Sequence, residues 1–305
     1  MAKGALNNPI FQDKKKAREW LETLLWANGR SCGYCGVVGE SSPMNTRPGY
    51  YQCKACRKQF TVMVGTVFER SHIPLNKWLM AAFLLCASKK GISAHQMHRM
   101  LGITYKSAWF MMHRLREAMK PNNAVPFGSG GGAVEVDETY IGKKPGHKVR
   151  RGGDHKFSVV ALVERDGRAR SFYMPKLGGQ DMRDVLHHHI SKDAHLKTDT
   201  STFYNNMDKS FASHEKVNHT KDEYVRGTAS TNTVEGVFSI FKRGMIGTYQ
   251  HCGEQHLQRY LTEFDFRYSN RAALEISDEV RAEKALKGIV GKRLTYRRIG
   301  GEANA

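Results

Sequence analysis

Residues 230–244 form the stretch that decides how the second half of the chain folds: S-T-N-T-V-E-G-V-F-S-I-F-K-R-G. Apolar residues recur here at the spacing that lines one side of an α-helix; they are Val234, Val237, Phe238, Phe241 and Met245. The opposite side carries polar residues that also stack above one another; they are Asn232, Glu235, Ser239 and Lys242. The pattern predicts a helix that packs on a core and presents a carboxylate and a lysine two turns apart.

Two interpretations of Glu235 follow from this stretch. Asn232 is a good N-cap, and a glutamate three residues later resembles a capping box, so Glu235 could serve only to satisfy the helix end. Alternatively, Glu235 and Lys242 could hold a metal ion and a phosphate together from one side of the helix. The second interpretation requires that the rest of the chain brings further carboxylates to Glu235.

The composition indicates a nucleic-acid-binding protein. Lysine and arginine number 48 against 29 aspartate and glutamate, which gives a formal charge of +19 over 305 residues. Such a surplus favours a polyanionic partner, with a merely soluble basic protein as the alternative. The length is enough for two or three domains. No apolar run approaches the roughly 18 residues that span a bilayer, and the N-terminus lacks a signal-peptide apolar core. We therefore expect a cytoplasmic protein without a membrane partner.

Cysteine spacing predicts a metal site, because disulfides are disfavoured in the cytosol. Four of the six cysteines stand as two C-x-x-C pairs: Cys32 and Cys35, then Cys53 and Cys56. The gap of residues 36–52 lies within the range of a four-cysteine zinc site, and the glycines and basic residues of the two turns favour thiolate ligands. We predict a structural Zn²⁺ in a zinc ribbon at residues 30–62, after an N-terminal helix within residues 1–29. A redox pair or chance cysteines are the alternatives.

Residues 63–120 predict a helix-turn-helix domain. Three helical patterns follow one another in residues 75–119, and the turn Gly102-Ile103-Thr104 separates the second from the third. Five residues of the third helix should face the core: Ala108, Met111, Met112, Leu115 and Met119. Five more should lie on the exposed side, where a recognition helix meets base edges: Thr104, Tyr105, Lys106, Ser107 and Arg114. Double-stranded DNA is the predicted partner, and an ordinary three-helix packing unit is the alternative.

Residues 121–132, P-N-N-A-V-P-F-G-S-G-G-G, have the composition of a flexible linker, and beyond them the periodicity changes from helix to strand. Alternation in A-V-E-V-D-E-T-Y-I-G predicts a first strand, and two more strands flank a hairpin at Asp166-Gly167. A helix from about Gln180 to Ser191 and a strand, H-L-K-T-D-T, come next. This order indicates an α/β domain with a mixed sheet at residues 133–275.

In such a domain the strand after the helical crossover can lie beside the first strand, which would bring Asp137 and Asp199 together near Glu235. Carboxylates gathered in this way repel one another, and a divalent cation removes that penalty. Two ions roughly 4 Å apart can activate an attacking oxygen and stabilise a leaving one, and hard oxygen ligands suit Mg²⁺ or Mn²⁺. Lys242 would then neutralise a phosphate oxygen or grip the DNA strand. The other acids, in residues 208–223, are expected to be solvated.

Three segments resemble the catalytic blocks of DDE-class insertion-sequence transposases: E-V-D-E-T-Y-I-G, T-D-T-S-T-F-Y and T-N-T-V-E-G-V-F-S-I-F-K-R-G. Thirty-five residues, 200–234, separate Asp199 from Glu235, and Lys242 stands seven after Glu235; both spacings match that class. The zinc-ribbon cysteines and the segment Leu257–Arg271, L-Q-R-Y-L-T-E-F-D-F-R-Y-S-N-R, are similar to those of a bacterial subgroup. Its members have an N-terminal zinc ribbon, a helix-turn-helix and an RNase H-like catalytic domain.

The resemblance implies a transposase that binds element ends, cleaves the DNA and joins the freed 3′-OH to a target, acting at least as a dimer. It implies a pair of Mg²⁺ (or Mn²⁺) ions at Asp137, Asp199 and Glu235. Some members of the subgroup use asparagine at the third position, so Asn232 is a helper or the alternative to Glu235. A non-catalytic DNA-binding regulator and a nuclease that cuts without joining are the remaining alternatives.

Two basic segments are further candidates for DNA contact. The loop from Lys143 to Lys156 follows the first catalytic strand and is placed to track a phosphate backbone, with a solvated loop as the alternative. Its candidate residues are Lys143, Lys144, Arg150 and Arg151. Residues 276–305 form a basic tail that we expect either to contact DNA or to be disordered.

Overall fold

The structure is a computed structural model that describes residues 5–122, 125–150, 153–217, 225–226 and 229–295. Its helices are α1 (Lys14–Leu25), α2 (Leu75–Ala87), α3 (Ala94–Leu101), α4 (Tyr105–Ala118), α5 (Gly179–His189), α6 (Asn232–Gly244), α7 (Glu254–Ser269) and α8 (Asp278–Lys287). Its strands are β1 (Ser41–Pro43), β2 (Tyr51–Cys53), β3 (Gln59–Phe60), β4 (Ala133–Ile141), β5 (Phe157–Glu164), β6 (Ala169–Met174), β7 (His195–Asp199), β8 (Ser213–Val217), β9 (Val225–Arg226) and β10 (Ala229–Ser230). None of the described helices is long and apolar enough to cross a membrane.

The chain divides into two units, Met1–Lys120 together with Ser277–Ala305, and Pro121–Ile276. The first unit contains the cysteine pairs and a small antiparallel sheet of β1, β2 and β3, in which Cys53 ends β2. Trp26, at the end of α1, packs its ring against Tyr51 and Phe60 at centroid distances of 5.3 and 6.1 Å. This aromatic cluster gives the small sheet a core of its own.

Helices α3 and α4 form the predicted helix-turn-helix arrangement. Gly102 ends α3 with φ at 57°, in the left-handed region that glycine adopts without steric cost. Thr104 caps α4, because its Oγ1 accepts the N–H of Ser107 at 3.2 Å. All five residues predicted to face the core are buried: Ala108, Met111, Met112, Leu115 and Met119.

The C-terminal segment belongs to the first unit, where α8 packs against α2. Four apolar residues of this segment recur at helical spacing and are buried: Ala282, Ala285, Leu286 and Ile289. Arg281 donates to the carbonyl of Cys86 at 3.0 Å, and Lys292 donates to the carbonyl of Ala118 at 3.0 Å. The prediction of a basic tail is therefore wrong for residues 278–292. Charged residues interrupt the four apolar residues in the sequence, so the short apolar stripe is difficult to recognise there. Residues 296–305 lie outside the described part.

The second unit is built on a five-stranded mixed sheet with the order β6-β5-β4-β7-β8. Strands β4, β5 and β6 form an antiparallel meander, and β7 returns parallel to β4. The hairpin between β5 and β6 turns at Asp166, whose φ is 53°. The α/β class with an RNase H-like mixed sheet is confirmed. Strand β8, parallel to β7, was not predicted, because S-H-E-K-V carries no apolar alternation.

Both faces of this sheet are covered. Apolar residues of β5 pack on one face against α6 and α7, and the predicted stripe of α6 (Val234, Val237, Phe238, Phe241 and Met245) is buried there. Val134 and Val136 of β4 face the other side, where α5 packs. Because side chains alternate along a strand, Glu135 and Asp137 point toward α6.

Part of the predicted linker at residues 121–132 is integrated into the second unit. Phe127 is fully buried, its N–H donates to His189 O at 2.7 Å, and its carbonyl accepts from Ser191 at 2.8 Å. Gly128 donates to Glu164 Oε1 at 2.9 Å. The linker prediction is wrong from Phe127 onward, because one large apolar side chain anchors an otherwise glycine-rich stretch.

The position of α8 leads to a stability prediction for two adjacent residues. Leu286→Ala removes a side chain that is 2% exposed and should lower the free energy of unfolding by about 2–5 kcal/mol. Lys287→Ala, at an exposed position, should change it little. Chemical unfolding monitored by tryptophan fluorescence measures both. Equal, small effects would mean that α8 does not belong to the core of the first unit.

Candidate functional site

The four cysteines converge in the first unit. One ligand atom from each lies within 4.8 Å of the others, and in the part of the chain that the structure describes this is the one group of His, Cys, Asp or Glu side chains that does so. Cys32 Sγ lies 3.8 Å from Cys56 Sγ, and Cys35 Sγ lies 3.7 Å from Cys53 Sγ. A tetrahedral zinc with Zn–S bonds of about 2.3 Å requires sulfur separations of about 3.8 Å. The four thiols therefore fit a structural Zn²⁺.

The local backbone shapes both cysteine turns alike and favours the thiolate of Cys53. Gly36 and Arg57, each directly after the second cysteine of a pair, have φ of 75° and 60°, so both turns use the same left-handed position. The N–H of Cys56 points at Cys53 Sγ at 3.4 Å and lowers the pKa of the Cys53 thiol to about 7. A lowered pKa favours the thiolate that zinc requires.

In the second unit, sheet register explains how two distant aspartates approach each other. Strands β4 and β7 are parallel, with Glu135 opposite Lys197. Asp137 and Asp199 each follow this pair by two residues, so both lie at the end of the paired region, and the charge of Asp199 acts on Asp137. Glu235 lies in the first turn of α6 and is exposed. The three carboxylates thus come from two neighbouring strands and the helix that covers them.

Burial and like charges together determine the electrostatics of this site. Burial, followed by the negative charges of Glu138, Asp199 and Glu235, raises the pKa of Asp137 to about 8. Backbone N–H groups hold one oxygen of each aspartate: Glu138 N–H donates to Asp137 Oδ1 at 2.8 Å, and Ser201 N–H donates to Asp199 Oδ1 at 2.9 Å. The carboxylates do not converge within 4.8 Å as the cysteines do.

The beginning of α6 differs from the capping-box interpretation. The helix starts at Asn232, and Thr231 occupies the N-cap position without a capping hydrogen bond from its side chain. Thr231 Oγ1 instead donates to Glu235 Oε1 at 3.2 Å. The interpretation of Asn232 as N-cap is therefore wrong, and both Asn232 and Glu235 stand exposed at the N-terminal turn of α6.

Glu135 occupies the place that a cap would take, and sequence reasoning missed it. It is fully buried, and its Oε2 accepts the N–H groups of Thr233 and Val234 at 2.8 and 3.1 Å. Arg165 Nε donates to its Oε1 at 2.8 Å. The sequence showed only that Glu135 occupies a polar position in an alternating strand, and the helix that it caps begins almost a hundred residues later.

Glu138 is a second acid that the sequence did not single out. It points to the other face of β4, where the fully buried Tyr204 donates its hydroxyl to Glu138 Oε2 at 2.6 Å. Burial raises the pKa of Glu138. Among the acids expected to be solvated, Glu215 instead forms an ion pair with the buried Lys197.

The predicted DNA-contacting residues of α4 have two kinds of environment. Thr104, Tyr105 and Lys106 are exposed, Ser107 is half-buried, and the Tyr105 ring stacks on His95 at 4.3 Å. Arg114 does not lie on the exposed side. It donates to the carbonyls of Glu69 and Leu294 at 3.1 and 3.2 Å, because the C-terminal segment covers this part of the helix.

The remaining basic candidates lie in the second unit. Lys143 and Arg150 are exposed, whereas Lys144 is half-buried and its N–H donates to His155 O at 2.8 Å. Arg151 lies outside the described residues. Lys242 is half-buried on α6, two turns beyond Glu235.

Both halves of the chain are similar to known sequences. Residues 130–269 match the ISXO2-like transposase domain, and residues 12–59 match the transposase zinc-ribbon domain. A relative from Halobacterium salinarum, described as an uncharacterized protein in the transposable element ISH50, is 26% identical over 275 residues, which cover 84% of this chain and 91% of the relative. A solved chain of the simian T-cell lymphotropic virus intasome, in complex with PP2A regulatory subunit B56 gamma, has 14% identity and a TM-score of 0.30, covering 55% of this chain and 63% of its own.

The cysteine cluster predicts which cysteine substitutions release zinc. Cys53→Ser removes one of the four thiolates, and the chain should lose its bound zinc, about one ion per molecule, and the fold of residues 30–62 with it. Cys252→Ser alters a half-buried cysteine outside the cluster and should retain the metal. Atomic absorption and circular dichroism measure both. Zinc retained at the wild-type level in Cys53→Ser would contradict the assignment.

The raised pKa of Asp137 predicts a pH-dependent stability. An unfolded aspartate ionises near its ordinary value of 3.8, whereas folded Asp137 keeps its proton up to about pH 8. The folded state therefore loses stability as pH rises from about 4 to 8. Without Mg²⁺, Asp137→Asn should be more stable than wild type at pH 8 by on the order of 1–3 kcal/mol, and the difference should shrink toward pH 4.

Calorimetric melting at pH 5 and pH 8, with zinc retained, measures this difference. Added Mg²⁺ should raise the melting temperature of the wild type more than that of the variant, because only the wild type offers the Asp137 carboxylate. A constant difference between the two proteins across the pH range would refute the electrostatic interpretation.

Proposed function

The chain belongs to the DDE-class transposases that carry an N-terminal zinc ribbon, and we propose that it cleaves the ends of an insertion sequence and joins their 3′-OH groups to target DNA. The observation that carries the proposal is the approach of Asp199 and Glu235 to Asp137, whose pKa rises to about 8. Burial and like charges disfavour the ionised form of the carboxylates in this site. A bound divalent cation would favour that form, so the site is suited to one.

Asp137, Asp199 and Glu235 would hold Mg²⁺ or Mn²⁺, because all three offer hard oxygen ligands. When bound, such ions activate an attacking oxygen and stabilise the leaving oxygen of a phosphodiester. The backbone N–H groups of Glu138 and Ser201 orient the two aspartates before any ligand arrives. Water is the first nucleophile and the freed 3′-OH the second, so no covalent bond to the protein is required.

Glu235 is our choice as the third ligand, and Asn232 is assigned a helping role. Both stand in the first turn of α6, but Glu235 carries the charge that acts on Asp137. Lys242 extends from the same helix two turns later and would neutralise a non-bridging phosphate oxygen. The four cysteines would hold the structural Zn²⁺.

DNA binding by the first unit is supported by the exposed start of α4. Tyr105 and Lys106 are assigned to base and phosphate contacts there, while Thr104 and Ser107 shape the helix end. In the second unit, Lys143 and Arg150 would follow the phosphate backbone, and Lys144 and Arg151 belong to the same loop. Bringing two element ends together requires at least two copies of the chain.

The catalytic proposal predicts the effect of single acid substitutions. Asp137→Ala and Asp199→Ala should each reduce Mg²⁺-dependent cleavage of labelled element-end DNA by on the order of 10³-fold, because each removes a carboxylate that would hold the ions, and those ions would stabilise the charge of the transition state. Glu235→Gln should also abolish cleavage, and Asn232→Ala should weaken it. Asp208→Asn, at an exposed acid in the same unit, is the matched control and should cleave normally.

The same assay separates the proposed reaction from its alternatives. End DNA supplied with a free 3′-OH should be joined to a target plasmid in Mg²⁺. Cutting without joining would identify a nuclease. Specific DNA binding without any Mg²⁺-dependent cutting would identify a regulator and refute the proposal.

A further inference from the structure

We infer that Glu135 is the positioning residue of the active site: its buried carboxylate ties the N-terminus of α6 to strand β4 and so sets where Glu235 stands relative to Asp137. The consequence of this positioning role for metal binding rests on the function proposed above. The similarity to transposases names the acids that would bind metal, but it assigns no role to this fourth acid.

Glu135 cannot be a metal ligand itself, because its acceptor sites are already occupied. Oε1 accepts from Arg165 Nε at 2.8 Å and from Thr233 Oγ1 at 2.9 Å. Oε2 accepts the N–H groups of Thr233 and Val234 at 2.8 and 3.1 Å. A carboxylate offers about four acceptor positions, so this side chain, fully shielded from water, is satisfied by protein donors alone.

The contact replaces a local helix cap. The first N–H groups of a helix lack intrahelical partners and carry the positive end of the helix dipole. The N-cap residue Thr231 provides no side-chain acceptor for them. Glu135 supplies the acceptor and a negative charge from a strand almost a hundred residues earlier in the chain. A local cap would fix the helix end only to its own loop, whereas Glu135 fixes it to the sheet.

The Glu135 carboxylate, the anchor between β4 and α6, lies close in the chain to a proposed metal ligand on each side. Glu135 and Asp137 are two residues apart on the same face of β4, and Val234, whose N–H the anchor accepts, directly precedes Glu235. Arg165 strengthens the link, because its second nitrogen donates to Ser230 Oγ at 2.9 Å, just before α6 begins. Two proposed ligands are therefore connected through a single buried side chain.

A purely structural role would predict lost stability without a change in metal binding, so the test needs a matched ion pair elsewhere in the sheet. Glu164 on β5 provides it: its Oε2 pairs with Arg168 Nε at 2.9 Å, and its Oε1 accepts the N–H of Gly128 at 2.9 Å. Glu164 thus has the same chemistry as Glu135 but holds no part of α6.

The experiment compares Glu135→Gln with Glu164→Gln in the full-length, zinc-loaded protein, at a temperature where both are folded. A glutamine presents N–H groups where Glu135 Oε1 or Oε2 accepts, so it cannot satisfy all of the donors. Calorimetry measures Mn²⁺ binding without DNA, and a titration gives the Mg²⁺ concentration for half-maximal cleavage of end DNA. Thr233→Val, which removes only the hydroxyl donor, is the milder second variant.

Glu135→Gln should raise the Mn²⁺ dissociation constant and the half-maximal Mg²⁺ concentration about tenfold or more, as loss of a ligand-orienting residue does in other metal sites. Thr233→Val should give a smaller shift in the same direction, and Glu164→Gln should leave both values at the wild-type level. Wild-type metal binding in folded Glu135→Gln would overturn the inference; if that variant does not fold, wild-type metal binding in Thr233→Val would do so.

The two proposals fail differently. A wild-type protein that binds Mn²⁺ but does not cut end DNA would refute the transposase activity, and the Mn²⁺ measurements would still decide the role of Glu135. A wild-type protein that binds no Mn²⁺ in the presence or absence of end DNA would overturn both.

Discussion

Ionised carboxylates that lie close together in a half-buried site repel one another, so positive groups must offset their charge. The structure of the second unit depends on which acids receive such a partner. Glu135 is offset by Arg165 and by the N-terminus of α6, and Glu215 is offset by Lys197. For Asp137 the main influences are burial and three further carboxylates, which leave its pKa raised. The fold therefore separates acids whose charge the protein itself offsets from Asp137, Asp199 and Glu235, the acids that we propose bind a cation.

The approach of these acids follows from one topological choice, the return of β7 beside β4. The meander of β4, β5 and β6 involves neighbouring segments, and alternation with a hairpin signal predicts it from sequence. The parallel pairing of β4 with β7 joins residues about sixty positions apart through a helical crossover. Sequence predicted this pairing only as the usual outcome of such a unit, and the approach of Asp199 to Asp137 followed from it.

The features that the sequence did not predict depend on contacts with residues far away in the chain. The apolar residues of α8 are buried only because α2 packs against them, and Arg114 is partly covered because the C-terminal segment supplies an acceptor for it. Strand β8 is polar and pairs only because β7 offers it an edge. By contrast, the cysteine pairs and the apolar stripe of α6 were predictable, since each depends on spacing within a short stretch. Glu135 belongs to the first kind, because a strand glutamate reveals its function only when the helix it caps is known.

The two proposed metal sites differ for the same reason. Residues within one short segment bring the four thiolates together, with left-handed turns after each pair, so this site can form with its own small domain. The oxygen site needs strands β4 and β7 and helix α6 in place at once. Soft sulfur ligands favour zinc, and hard oxygens favour Mg²⁺ or Mn²⁺, so the two proposed sites differ in the ion that each prefers. The proposed ligands of the oxygen site repel one another while no ion is bound. Such a site requires an anchor that is rigid before binding, and Glu135 is the anchor that we propose.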